Sequence, residues 1–268
     1  MNADRQLDMF SGAGFAPDGA GPENHGRAAL DPSTLSDAAL IEALPAAGAL
    51  DAPALAAEAG RRKLIAAVPA LGALCRRFKG FGRHALVAEQ IASMTALACI
   101  GGRQAADVVG RAIAEDVVQG PGLPAAMVAA AALGSRLPAE VVLACLRHPN
   151  PTVRADACRL ARPSAGVVAV LIDLLDDLHD GVTAVAACAL GRMGRDEARN
   201  RLIRLLANTP SAEAIDAFAR IADDDAVILL GRLAQRCPDL AGAVLDALDE
   251  CELPRAAVVA AGVRRRLG

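Results

Sequence analysis

Between Asp180 and Leu206 the chain reads DGVTAVAACALGRMGRDEARNRLIRLL, two apolar stripes of helical period with a glycine between them. Val182, Val185, Ala186, Ala189, Leu190 and Met193 fall at i, i+3, i+4, i+7, i+8 and i+11, one continuous helix face. Gly194 then supplies the left-handed residue that a helix C-terminus favours. Asp196 and Glu197 fall in the first turn of a second helix, where carboxylates oppose the positive end of the dipole. Ala198, Leu202, Leu205 and Leu206 form its stripe, leaving Arg195, Arg199, Arg201 and Arg204 to water. Neither helix can bury its stripe alone. The pair is one rung of a stack.

The rest of the chain supplies the other rungs. Breakers at Gly80 and Gly82, Gly101-Gly102, Gly120-Pro121-Gly122, Pro138, Pro149-Asn150-Pro151, Pro163, Pro210, Pro238 and Pro254 divide it. The pattern predicts helices over 38–44, 53–64, 66–78, 84–99, 103–117, 124–134, 138–147 and 151–161. It continues with 165–176, 181–193, 195–207, 211–222, 225–236, 239–250 and 254–267. A residue near the end of each first helix recurs as Leu97, Leu133, Leu160, Leu190, Ile221 and Leu248, at spacings of 36, 27, 30, 31 and 27. A period near 30 that holds two helices is the mark of an α-solenoid, here of about six to seven antiparallel pairs and right-handed.

Composition agrees. Hydrophobic residues make up 54% of the 268, yet there is no Trp or Tyr and only five Phe, so Ala, Leu and Val carry the apolar content. Strands favour aromatic and β-branched residues, whereas small side chains let helix axes approach. The formal charge of −3 calls for neither nucleic acid nor membrane. No apolar run nears the roughly 18 residues of a span, and the start lacks a signal-peptide pattern, so a cytoplasmic location is expected. The seven Cys are widely spaced, mostly on apolar stripes, and read as buried reduced thiols with no metal site.

Two regions follow. Residues 1–34, rich in Gly and Pro without an apolar period, read as a disordered tail. Residues 35–268 read as the solenoid, with Ser36 as the cap of its first helix. Gly12-Ala13-Gly14 is no dinucleotide loop, because Pro17 stands where the third glycine belongs and no strand precedes it.

Pro151-Thr-Val-Arg-Ala-Asp-Ala-Cys-Arg-Leu-Ala161 and Ala186-Ala-Cys-Ala-Leu-Gly-Arg-Met-Gly194 resemble HEAT repeats, particularly the short type first noted in phycobilin lyases. The likeness covers roughly 84–236 and fades at both ends, as capping repeats do. It implies an all-α fold and leaves function open among scaffolds, lyases and DNA glycosylases. A glycosylase of this type implies aromatics and a broad basic face, neither of which the composition provides.

Gln6-Leu7-Asp8-Met9-Phe10 resembles the peptide with which bacterial replication and repair proteins bind the sliding clamp, commonly Gln-Leu-Ser/Asp-Leu-Phe, with Met9 in place of Leu. The resemblance implies that Leu7 and the Met9–Phe10 pair enter a pocket on the clamp and that Gln6 bonds at its rim. An extended segment with apolar anchors suits such tethered recognition. The alternative is that these residues pack on the solenoid end.

Arg61–His84 carries Arg61, Arg62, Lys63, Arg76, Arg77, Lys79 and Arg83 with no acid among them, and Phe78 and Phe81 lie in the same run. Such a segment reads as a patch for an acidic protein partner, for nucleic acid, or as a solvated face. Leu71, Leu74 and Phe78 at i, i+3 and i+7 assign Phe78 to the core.

Asp173, Asp176, Asp177, Asp180, Asp223, Asp224 and Asp225 read as turn and cap residues, without calcium-loop spacing. His25, His84, His148 and His179 lack metal spacing, and the sequence holds no nucleophile elbow and no Walker loop. Cys75, beside Arg76 and Arg77, reads as a buried structural thiol rather than a reactive one. The expectation is a non-enzymatic scaffold without cofactors that holds a protein partner on its concave face. The rivals are a bilin-lyase-like or glycosylase-like enzyme subunit and a nucleic-acid-binding accessory protein.

Overall fold

Glycine and proline stop the helices, and small hydroxyl or carboxyl side chains start them. In the computed structural model, which describes residues 31–267, the Ser36 hydroxyl accepts from the Ala39 amide at 3.2 Å and opens α1 (Asp37–Ala43). Then come α2 (Ala52–Arg61), α3 (Val68–Arg77), α4 (Ala88–Ile100), α5 (Gly102–Ala114), α6 (Leu123–Leu133) and α7 (Ala139–Leu146). Asn150 caps α8 (Pro151–Leu160), and Ser164 caps α9 (Ala165–Asp173). They are followed by α10 (Asp180–Arg192) and α11 (Arg199–Asn208). Ser211 caps α12 (Ala212–Ala219), and Asp223 caps α13 (Asp224–Arg236). The last two are α14 (Ala241–Asp249) and α15 (Pro254–Leu267). No strand occurs among the described residues.

Apart from α1, the fourteen helices form seven pairs in two layers, a HEAT-like α-solenoid. The first helices of the pairs, α2, α4, α6, α8, α10, α12 and α14, pack one on the next without interruption. The second helices lie against them, and their closest mutual packing is α3 on α5, α7 on α9 and α13 on α15. The principal contacts all join helices no more than two places apart, so each pair stabilises only its neighbours.

Position in the stack sets the burial of each helix. In α10, flanked by α8, α12, α9 and α11, the run Val185–Gly191 is buried, and Ala186, Ala187, Cys188 and Ala189 let its neighbours close in. A Cβ at Gly191 would lie 2.6 Å from the Ala217 carbonyl oxygen, so only glycine permits α12 to sit this close. By contrast α11 buries only Leu202 and Leu206. Gly194 takes φ +70°, the left-handed C-terminal residue expected from sequence.

Three details depart from the sequence reading. Asp196–Ala198 forms a 3-10 turn ahead of α11 rather than its first α-turn, and the helix expected from residue 84 starts at Ala88. Residues before it make a 3-10 turn at Phe81–Arg83. Pro32–Thr34, placed in the tail by sequence, forms another 3-10 turn against α2.

Candidate functional site

The seven cations of Arg61–Arg83 do not make one patch. Arg61, Arg62 and Lys63 precede α3, whereas Arg76 and Arg77 are its last two residues and Lys79 and Arg83 follow it, so a ten-residue helix, about 15 Å long at 1.5 Å per residue, sets the two groups at opposite ends. Several are engaged within the fold. Arg62, with a side chain 18% exposed, donates to Glu58 at 2.6 Å, to Asp37 at 2.8 Å and to the carbonyls of Pro32, Ser33 and Leu35. It ties the start of the fold onto α2. Arg61 donates to both Glu58 oxygens, at 2.8 and 2.7 Å, and these bonds, then those from Arg62, hold the Glu58 carboxyl down at about 2.

At the other end of α3, Arg77 donates to the carbonyls of Pro45 and Ala47 and lies 4.7 Å from the centre of the Phe78 ring. Arg76 pairs with Glu115 at 2.6 Å, which lowers the pKa of that carboxyl. Phe78 packs against the core, as its spacing implied, and meets Phe81 edge to face at 6.1 Å. Phe81 itself is 71% exposed. Lys79 and Arg83 are exposed and form no ion pair among the described residues. The loop that carries them is braced from beneath by Gln90, whose buried amide donates to the carbonyls of Cys75, Phe78 and Val117. Sequence reading missed Gln90, because its partners, two at the end of α3 and one in the loop after α5, come together only in the fold.

The aspartates divide. Asp223 caps α13, accepting from the Ala226 amide at 2.9 Å. Asp177 holds its turn, accepting from the His179 amide at 2.9 Å, and Asp224 lies in the first turn of α13, as read from sequence; Asp176, Asp177 and Asp224 also join neighbouring pairs. Arg154 on α8 grips Asp177 through two bonds of 2.8 and 2.9 Å, and also donates to the carbonyls of His148 and Pro149. Arg201 reaches Asp176 at 2.6 Å, Arg199 reaches Asp223 at 2.6 Å and Arg255 reaches Asp224 at 3.3 Å. Arg199 and Arg201, assigned to water by sequence, thus tie rungs together.

The thiols of Cys75, Cys145, Cys158 and Cys188 are buried, and burial pushes Cys75, Cys158 and Cys188 up to about 12. Cys75 is therefore an inert thiol. Cys99 is exposed, against expectation. His148 and His179 both stand in turns, at the end of α7 and before α10. Among the described residues no group of three or more His, Cys, Asp or Glu could hold a metal ion. No described helix is long and apolar enough to cross a membrane.

Clefts open between helices of the described residues. One, about 590 Å³, lies between α2 and α4 beside Arg61 and Lys63. A second, about 290 Å³, lies between α5 and α7 with Asp116, Glu140 and His148 at its edge. A third, about 330 Å³, lies between α10 and α11 and is rimmed by Arg201, Arg204 and Asn208. Gln6, Leu7, Asp8, Met9 and Phe10 lie outside the described residues.

Residues 139–219 match the family model for HEAT repeats. The match begins on the first residue of α7 and ends on the last of α12, within the span where sequence already showed the likeness. No curated protein matches the chain. The HEAT stretch contains the best-buried first-layer helix, α10, and the Arg154–Asp177 and Arg201–Asp176 ties.

Proposed function

We propose that the chain is a non-enzymatic scaffold that holds a partner protein on the concave face expected of its solenoid. The observation that carries this reading is the HEAT match on a seven-pair stack. Folds of this kind present long surfaces without requiring a catalytic centre. Catalysis is the outcome that overturns it: turnover of a bilin-carrying protein or of alkylated DNA by the purified chain would make it an enzyme.

The same reading makes Gln6–Phe10 the tether to a sliding clamp. Its support is the Gln-Leu-Asp-Met-Phe order itself. Affinity for the clamp should be modest, on the order of micromolar, because few apolar side chains are buried and an extended segment must be ordered. Replacing Leu7 and Phe10 by Ala should abolish the calorimetric signal with the host clamp and leave the melting temperature unchanged. No signal from the intact chain, or a lower melting temperature in the variant, removes the clamp from the proposal. Nucleic acid is the weaker alternative, since only Lys79 and Arg83 remain unpaired at their end of α3, with Glu115 close by.

A further inference from the structure

The α2–α4 cleft arises from small residues on two facing helices. Helix α2 contributes Ala57 and Gly60, and α4 contributes Ala92, Thr95, Ala96 and Cys99 at i, i+3, i+4 and i+7. The backbones come close, since a Cβ at Gly60 would lie 3.2 Å from the Ala96 Cα. No large side chain fills the angle above them, and an open groove of about 590 Å³ remains. Along α2 it runs from Pro53 to Lys63, about 15 Å, the length of two to three helical turns.

The charge at its end is of one sign. No carboxylate lines the groove, and its two ionic residues are Arg61, with a side chain 69% exposed, and Lys63. The nearest acid, Glu58, is taken up by Arg61 and Arg62. Lys63 makes no ion pair among the described residues. Its backbone sits at φ +52°, a conformation that normally selects glycine, and is held there by the Lys63 amide on Gly60 and the Leu64 amide on Ala59. Only a residue with a side chain can put an ammonium at that end of the groove.

We propose that this groove docks an acidic amphipathic segment of a partner protein, its small apolar side chains on the Ala-Gly-Thr floor and its carboxylates on Lys63, since Arg61 is held by Glu58. The inference rests on the scaffold reading and names one surface for it. A nucleic acid fits less well, because an apolar floor with one unpaired cation would strip water from phosphates without replacing it.

Cys99 lies in the groove and reports on its occupancy. Three synthetic peptides of about four helical turns, alike in Ala and Leu but carrying Glu, Lys or Ser on the polar face, are titrated into the full chain. Maleimide modification of Cys99 is then followed by peptide mass spectrometry. The Glu peptide should slow modification of Cys99 about fivefold or more, and the Lys and Ser peptides should not. Lys63→Glu should abolish that protection and transfer it to the Lys peptide. Ala57→Glu, on the exposed floor, should abolish it independently, which covers the case where Lys63→Glu fails to fold. Equal protection by all three peptides, none by the Glu peptide, persistence in both variants, or protection by oligothymidine each overturns the proposal. Turnover assays of the same preparation with a bilin-carrying protein and with alkylated DNA report separately on the scaffold reading, so the two can fail apart.

Discussion

Asp156 on α8 is buried; its Oδ1 accepts from Arg159 at 2.7 Å, and its Oδ2 has no partner among the described residues. Burial raises its pKa, opposed by the Arg159 bond and charge. A raised carboxyl pKa means that the fold binds the proton more tightly than the unfolded chain does. The contribution of Asp156 therefore improves as pH falls and worsens as pH rises above the ordinary carboxylate range. Asp156→Asn keeps the shape and removes the charge, so stability at pH 7 should rise by about 1 kcal/mol and the gain should vanish near pH 3. Urea midpoints at the two pH values check this; a loss at pH 7 would show that the Arg159 bond outweighs burial. Glu58 has the opposite sign. Its pKa is held at about 2, so its contribution is complete above the ordinary carboxylate range and is lost as pH falls toward that value. Glu58→Gln should destabilise at pH 7, and that loss should shrink steadily as pH falls from the ordinary carboxylate range toward 2, measured the same way.

Between elements, two kinds of contact hold neighbouring rungs, and they differ in how they fail. Leu190, fully buried, fills the seam around α10, and Leu190→Ala should lower stability by about 2–5 kcal/mol in urea unfolding. A loss within about 0.5 kcal/mol would place it outside the core. The polar contact is Arg154 with Asp177, whose side chains are only 12% and 7% exposed. Asp177→Ala strands the guanidinium and should cost about 3 kcal/mol, whereas a double-mutant cycle with Arg154→Ala should recover part of that loss. Strictly additive losses would mean that the two side chains do not stabilise each other.

On the scale of the whole molecule, a stack that couples only neighbours is stable where neighbours exist on both sides. Native-state hydrogen exchange should therefore show the slowest amides in α8, α10 and α12 and faster exchange in α2 and α14. Uniform protection across all seven pairs would instead indicate a single cooperative unit.

Much of this was legible in the chain because a helix and its caps depend on residues within about four places of one another. The breakers marked where the helices end, Ser36 announced the first cap and Gly194 the left-handed turn, and the period near 30 gave the pairing. What joins one rung to the next was not legible. Arg62 to Pro32, Arg77 to Ala47 and Arg154 to Asp177 each span 23 to 30 residues, about one repeat. Which charges meet across that interval depends on how far one helix has turned against the next, and the apolar pattern does not specify it. So a run of seven cations looked like one surface, and the tertiary structure parted it. The length of α3 put three of them at one end and four at the other, backbone carbonyls took up Arg77 and, with two carboxylates, Arg62, and a groove with a lysine at its end was left where the facing sides of α2 and α4 carry no large side chain.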